Sequence, residues 1–136
     1  MGYRGYITSR PFFGERVPQR IQNIVIRDYC EKRSLFYFLS ATEVAMSQSY
    51  LMLNQLVDEI DLLDGIVAYS MFQLPPDDQL RAEILSKVVS AHRSIHFAVE
   101  TMSVNTQIDI AAVNQIFQVK NTLPLCLTKD NWKLLF

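Results

Sequence analysis

Two periodicities take turns along this chain. Tyr3, Gly5 and Ile7 interleave with Arg4, Tyr6 and Thr8, a period of two that predicts a strand over Tyr3–Thr8. A polar loop, Ser9–Arg16, follows with Pro11 and Gly14. Pro18 then suits a first helical turn, and Val17, Ile21, Ile24, Val25 and Tyr29 recur at helical spacing to about Lys32. The unbroken apolar run Leu35–Leu39 predicts a strand covered on both faces. After a loop at Ser40–Gln48, Ser49 is placed to cap a helix whose inner face is Leu53, Leu56, Val57 and Ile60. Asp64-Gly65 predicts a turn and Ile66–Tyr69 a buried strand, broken by Phe72–Pro76. Asp77 or Asp78 caps a third helix to about His92, with Leu80, Ile84, Leu85, Val88 and Ala91 inward. Ile95–Val99 predicts a fourth strand, Thr101–Ile108 a polar loop, and Asp109–Lys120 a last amphipathic helix. From Pro124 the tail is apolar and is expected to pack on its own domain or on a second copy.

Strands alternating with helices imply a mostly parallel sheet with right-handed crossovers. The expected fold class is α/β, a three-layer sandwich around a four-stranded sheet of order about 2-1-3-4, of flavodoxin-like type. In such a sheet the ligand crevice lies beyond the carboxyl ends of the strands, where the strand order reverses. The first and third strands then flank it, and their loops supply Ser9, Arg10, Ser70 and Gln73, with Thr42, Glu43 and Glu100 nearby.

At 136 residues, 49% hydrophobic and 20% charged, the chain reads as one domain, 1–136, able to bury a core. Within it, 1–100 is the core, 101–123 a loop and last helix, and 124–136 the tail. No apolar run reaches membrane-spanning length, and the N-terminus does not read as a signal peptide. Net charge is −1, without the basic surplus of a free-standing duplex binder. Cys30 and Cys126 read as reduced thiols in a cytoplasmic protein. With two cysteines and two histidines no metal site is expected. No phosphate-binding glycine pattern lies between strand and helix, so no dinucleotide, nucleotide or other cofactor is expected.

Within the crevice, Ser9 and Glu100 are the candidate catalytic residues, a hydroxyl beside a carboxylate at the carboxyl end of a strand. Ser9 reads equally as a strand-end serine capping a turn. Arg4, Arg10 and Arg16 bring guanidinium groups suited to carboxylate or phosphate, and with Gln19, Glu43, Ser70 and Gln73 they form the candidate substrate-binding set. Surface ion pairs with Glu15, Asp28 and Glu31 are the alternative for the arginines. Phe12 and Phe13, apolar in a polar loop, read either as a lid or as a dimer contact. His96 reads as a core histidine pointing at a helix.

Several segments carry a resemblance: RGYITSR at Arg4–Arg10, RVPQ at Arg16–Gln19, IRDYC at Ile26–Cys30, SYLML at Ser49–Leu53, DGIVAYSMFQLP at Asp64–Pro75 and HFAVE at His96–Glu100. In these the chain resembles the sporadic carbohydrate cluster proteins, a small bacterial family encoded among surface-polysaccharide functions. The resemblance spans about Gly2–Glu100. It implies a cytoplasmic protein of polysaccharide biosynthesis that binds or modifies an anionic carbohydrate or nucleotide sugar, and it names no reaction. The alternative is a non-catalytic partner docking on a biosynthetic enzyme through Phe12, Phe13 and the tail. A homodimer is expected, with no membrane and no nucleic acid as partner.

A second resemblance is to the catalytic domain of serine recombinases (resolvases), which also opens with a strand ending in serine, a polar loop and a glutamine-bearing helix. Ser9, Gln19 and Gln22 sit in comparable places. The recombinase arginine just before the nucleophile corresponds to Ile7 or Thr8, and the later Leu-Asp-Arg-Leu-Gly-Arg element to Met71–Pro76, without its arginines. Those arginines stabilise the scissile phosphate. No helix-turn-helix module is present either. This resemblance therefore implies a resolvase-like fold without DNA strand exchange.

Overall fold

The computed structural model describes residues 2–9, 17–43 and 50–126, the last six by backbone alone. Strand β1 covers Tyr3–Thr8, followed by α1 (Gln19–Lys32), β2 (Tyr37–Glu43), α2 (Leu51–Asp58) and β3 (Gly65–Ala68). Then come α3 (Asp78–Ser90), β4 (Ser94–Phe97), β5 (Met102–Val104) and α4 (Gln107–Cys126), with short 3₁₀ turns at Ile60–Leu62 and Met71–Gln73. The sheet runs β2-β1-β3-β4-β5. β1 pairs in parallel with β2 and β3, β3 in parallel with β4, and β5 returns antiparallel on β4.

The order expected for the first four strands is the order found, because each βα unit lays its strand beside an earlier one. Four strands is corrected to five. Thr101 takes a left-handed backbone, φ 50°, and turns the chain back along β4. Three residues are too short for a period to show, so local pattern alone reads Met102–Val104 as polar loop. The even three-layer sandwich is corrected as well. The larger buried cluster joins Tyr6, Ile66, Ala68, Ile95 and Phe97 of the sheet to residues of α2, α3 and α4. The opposite face carries a smaller cluster, Ile7 and Val67 with Ile26, Tyr29 and Cys30 of α1. Alternation along the strands sends successive side chains to these two cores.

β2 is displaced toward its carboxyl end relative to the apolar run. The sheet leaves it as an edge strand, so Phe36, Phe38 and Leu39 stay 66%, 43% and 51% exposed, while Ala41 and Glu43 are buried. A register shift beside Tyr3 and Arg4 accompanies this. In α3, Asp77 caps the helix by accepting from Leu80 N at 2.9 Å. Leu80, expected inward, is half exposed, and Arg81 is fully buried in its place. Arg81 donates to Pro75 O and Pro76 O, each at 3.2 Å, and to Asn114 Oδ1, and it stacks 3.8 Å from the Phe117 ring centroid. Those acceptors offset the desolvation of a buried guanidinium. The last helix extends beyond its expected ends at both sides. Ser49, Phe12, Phe13 and residues 127–136 lie outside the described residues, and so does the homodimer expectation built on the tail. Among the described residues no helix is long and apolar enough to cross a membrane.

Candidate functional site

The carboxyl edge of β1 and β3 is organised by buried amides. Gln22, on the inward stripe of α1 with Ile26 and Tyr29, grips the end of β1. Its Nε2 donates to Thr8 O and to Val17 O, both at 2.8 Å, and its Oε1 accepts from Thr8 N at 3.1 Å. Gln73, on the 3₁₀ turn after β3, donates from Nε2 to Gln22 Oε1 at 2.7 Å and to Thr8 Oγ1 at 3.1 Å, and its Oε1 accepts from Ser70 N at 3.1 Å. Ser70 Oγ accepts from Phe72 N and donates to Glu100 Oε2 at 2.8 Å. Glu100 Oε1 also accepts from Met71 N at 2.9 Å. One continuous network thus ties the end of β1, the start of α1, the β3–α3 connection and the β4–β5 turn. Buried polar groups joined this way specify a single arrangement.

Ser9 stands just beyond β1, half-buried, its N and Oγ both donating to Glu43 O at 3.1 and 3.2 Å. The Glu43 carboxylate is buried and turned inward. It accepts from Tyr6 Oη at 3.0 Å and from Met52 N and Leu53 N, so it serves the amino end of α2. Thr42 precedes it on β2, paired with Ile7.

The structure brings Ser9, Glu43, Ser70, Gln73 and Glu100 to one edge, where Ser9 bonds Glu43 O, and Ser70 bonds both Gln73 and Glu100. Arg4 is not there. It sits near the start of β1, about 16 Å from Ser9 at strand rise, donating to Leu39 O and lying over the Phe38 ring. Gln19 is exposed on the first turn of α1, and Gln22 is the glutamine that turns in. Arg10 and Arg16 lie outside the described residues. Gln22 and Thr8 are absent from the site set that the sequence suggests. A signal for Gln22 is nevertheless there, because it falls four and seven positions before Ile26 and Tyr29 on one helical stripe.

On the α1 face, His96 points at a helix as expected. Its Nδ1 is 2.8 Å from Tyr29 Oη and its Nε2 is 3.1 Å from Ser94 Oγ. Burial, with Arg33 adding to it, pulls the imidazole down to about 4, while burial raises Tyr29 and pushes the Cys30 thiol up to about 11.

No protein-family model and no curated protein matches the chain. Solved structures do. The N-terminal catalytic domain of TP901-1 integrase superposes with a TM-score of 0.64 at 13% identity, covering 88% of this chain and 98% of that one. A resolvase family site-specific recombinase from Streptococcus pneumoniae superposes with a TM-score of 0.61 at 7% identity, covering 88% of each chain. At these identities the likeness establishes the fold, which is the resolvase-like α/β fold. The sporadic carbohydrate cluster resemblance gains nothing from these comparisons. Finding recombinase catalytic domains as the structural neighbours overturns the expectation of a sugar-handling protein, or of its docking partner, in polysaccharide biosynthesis. It likewise overturns the choice of an anionic carbohydrate over nucleic acid as partner.

Proposed function

We propose that this chain binds DNA, receiving a backbone phosphate at the carboxyl edge of β1. One observation carries the reading. Ser9 ends the strand that lies between β2 and β3, with its hydroxyl at the edge of a fold shared with two recombinase catalytic domains. In this reading the hydroxyl meets the phosphodiester, and Arg10 and Arg16 supply guanidinium forks to its oxygens. The Thr8–Gln22–Gln73 buttress holds the strand end, so that little reorganisation accompanies docking. The Glu43 carboxylate is turned to Tyr6 and the amino end of α2.

Ile7 or Thr8, and Met71–Pro76, stand where the resemblance puts the recombinases' arginines. Docking of phosphate, rather than rapid strand cleavage, is therefore the activity proposed. The net charge of −1 sets its strength, since few phosphate contacts give modest affinity and a shallow salt dependence. A cytoplasmic location is part of the same reading and suits the free, buried Cys30.

A labelled random-sequence duplex, titrated with the full chain in a gel-shift assay, tests this. Retention at low salt that fades as salt rises, and that the double change Arg10→Ala, Arg16→Ala removes, is the expected result. No retention at low salt, or retention indifferent to both arginines, overturns it.

A further inference from the structure

At the opposite, amino edge of the sheet lies a cavity of about 380 Å³, lined by Tyr3, Asp64, His92, Arg93, Ser94, Asn105 and Thr106. Its volume is that of a small-ligand site. Ser94 and His96 are two apart on β4 and so share a face. Ser94 Oγ is 3.1 Å from His96 Nε2, within reach for proton transfer, and the other ring nitrogen is held at 2.8 Å by Tyr29 Oη. A hydroxyl, an imidazole and a third group orienting that imidazole are the elements of an activated nucleophile. Arg93 lines the same cavity, and its buried Nε makes no hydrogen bond.

We propose that Ser94 and His96 form a second, hydrolytic site that takes a small polar carboxylic ester in the amino-edge cavity. Ser94 Oγ attacks the ester carbonyl carbon as His96 Nε2 takes its proton. The carbon–alkoxide bond breaks, and the departing alcohol takes that proton from His96, leaving acyl-Ser94. Water then adds to the acyl carbon and gives a proton to His96. The carboxylic acid leaves as that proton returns to Ser94 Oγ, so the sum is ester plus water to acid plus alcohol. Tyr29 is a positioning residue that fixes the ring through Nδ1.

The imidazole is faced by Tyr29 and Arg33 from α1, by Tyr3 from β1 at 5.5 Å between ring centroids, by Ser103 as its β5 partner, and by Ser94 on its own strand. With its pKa lowered to about 4 the ring is a neutral acceptor at physiological pH but a weak base, so acylation is slow and needs a reactive ester or phosphonate to read.

The full chain is incubated with an alkyl fluorophosphonate and mapped by mass spectrometry. The expected adduct is on Ser94, at a rate level between about pH 6 and 9 because the ring is already unprotonated. Ser94→Ala removes it, His96→Gln slows it about 100-fold or more, Tyr29→Phe moves the acid limb of the profile, and Ser90→Ala leaves it unchanged. No adduct, an adduct on another residue, or a rate that climbs about tenfold per pH unit across that range, as hydroxide-driven chemistry does, overturns the proposal. The pH profile uses the unaltered chain, so its outcome does not depend on a variant that folds. It is also independent of whether the chain retains DNA.

Discussion

The two edges of this sheet are built on opposite principles. At the carboxyl edge, Gln22, Gln73, Ser70 and Glu100 satisfy one another and the surrounding backbone, and the strand ends are locked. At the amino edge, Arg93 Nε is buried without a hydrogen bond beside an open cavity, and Ser94 faces a neutral imidazole. The first edge is closed around its own polar groups; the second borders a cavity with a hydroxyl paired to an imidazole. Concentration of polar residues therefore marks where a fold is fastened as readily as where it reacts.

That contrast can be broken by substitution. Gln73→Ala is expected to be the costliest change, about 3 kcal/mol, because it removes a buried amide that accepts from Ser70 N and donates to Gln22 Oε1. Urea unfolding measures it, and a loss comparable to a surface substitution would show the network to be slack. Gly65→Ala tests the amino edge. Its added methyl would meet Ser94 O and the Tyr3 ring, so the change should cost about 2–3 kcal/mol by overpacking. It should also displace the Ser94 hydroxyl, read as slower phosphonylation.

The amino edge also carries the acid sensitivity. His96 is depressed from 6.5 to about 4 in the folded chain, so the unfolded chain binds the extra proton between those values. Its contribution is complete above about 6.5 and is lost as pH falls through about 4. That is about 2 kcal/mol after discounting for partial exposure. Unfolding free energies across that window should flatten in His96→Gln. The smallest effect expected is from Glu100→Gln, about 1 kcal/mol, since the amide retains an acceptor for either Ser70 or Met71 but weakens the charge-assisted bonds. Thermal unfolding reads it, and a loss of several kcal/mol would place Glu100 among the main fasteners of the carboxyl edge.

Much of the architecture is legible in local pattern. β1, α1 and the Asp77 cap fall where period and capping chemistry put them, because each depends on neighbours within a few residues. β2 escapes that reading. The run Leu35–Leu39 is apolar enough for a central strand, yet the chain uses it at an edge, and only pairing order reveals the exposure. Arg81 illustrates the same limit, since its burial depends on Pro75, Pro76, Asn114 and Phe117 arriving from elsewhere.

By itself the amino-acid order determined the alternation of strands and helices, the inward stripes of those helices, and the presence of Ser9 at the end of the first strand. These follow from side-chain period and short-range hydrogen bonding, which adjacent residues settle among themselves. Only the tertiary structure decided that Ser70 would bond Glu100, that Gln73 would reach Gln22, and that Gln22 would hold the end of β1. Hydrogen-bond satisfaction is a property of groups meeting across the fold, and no single segment of the chain contains both halves of those bonds.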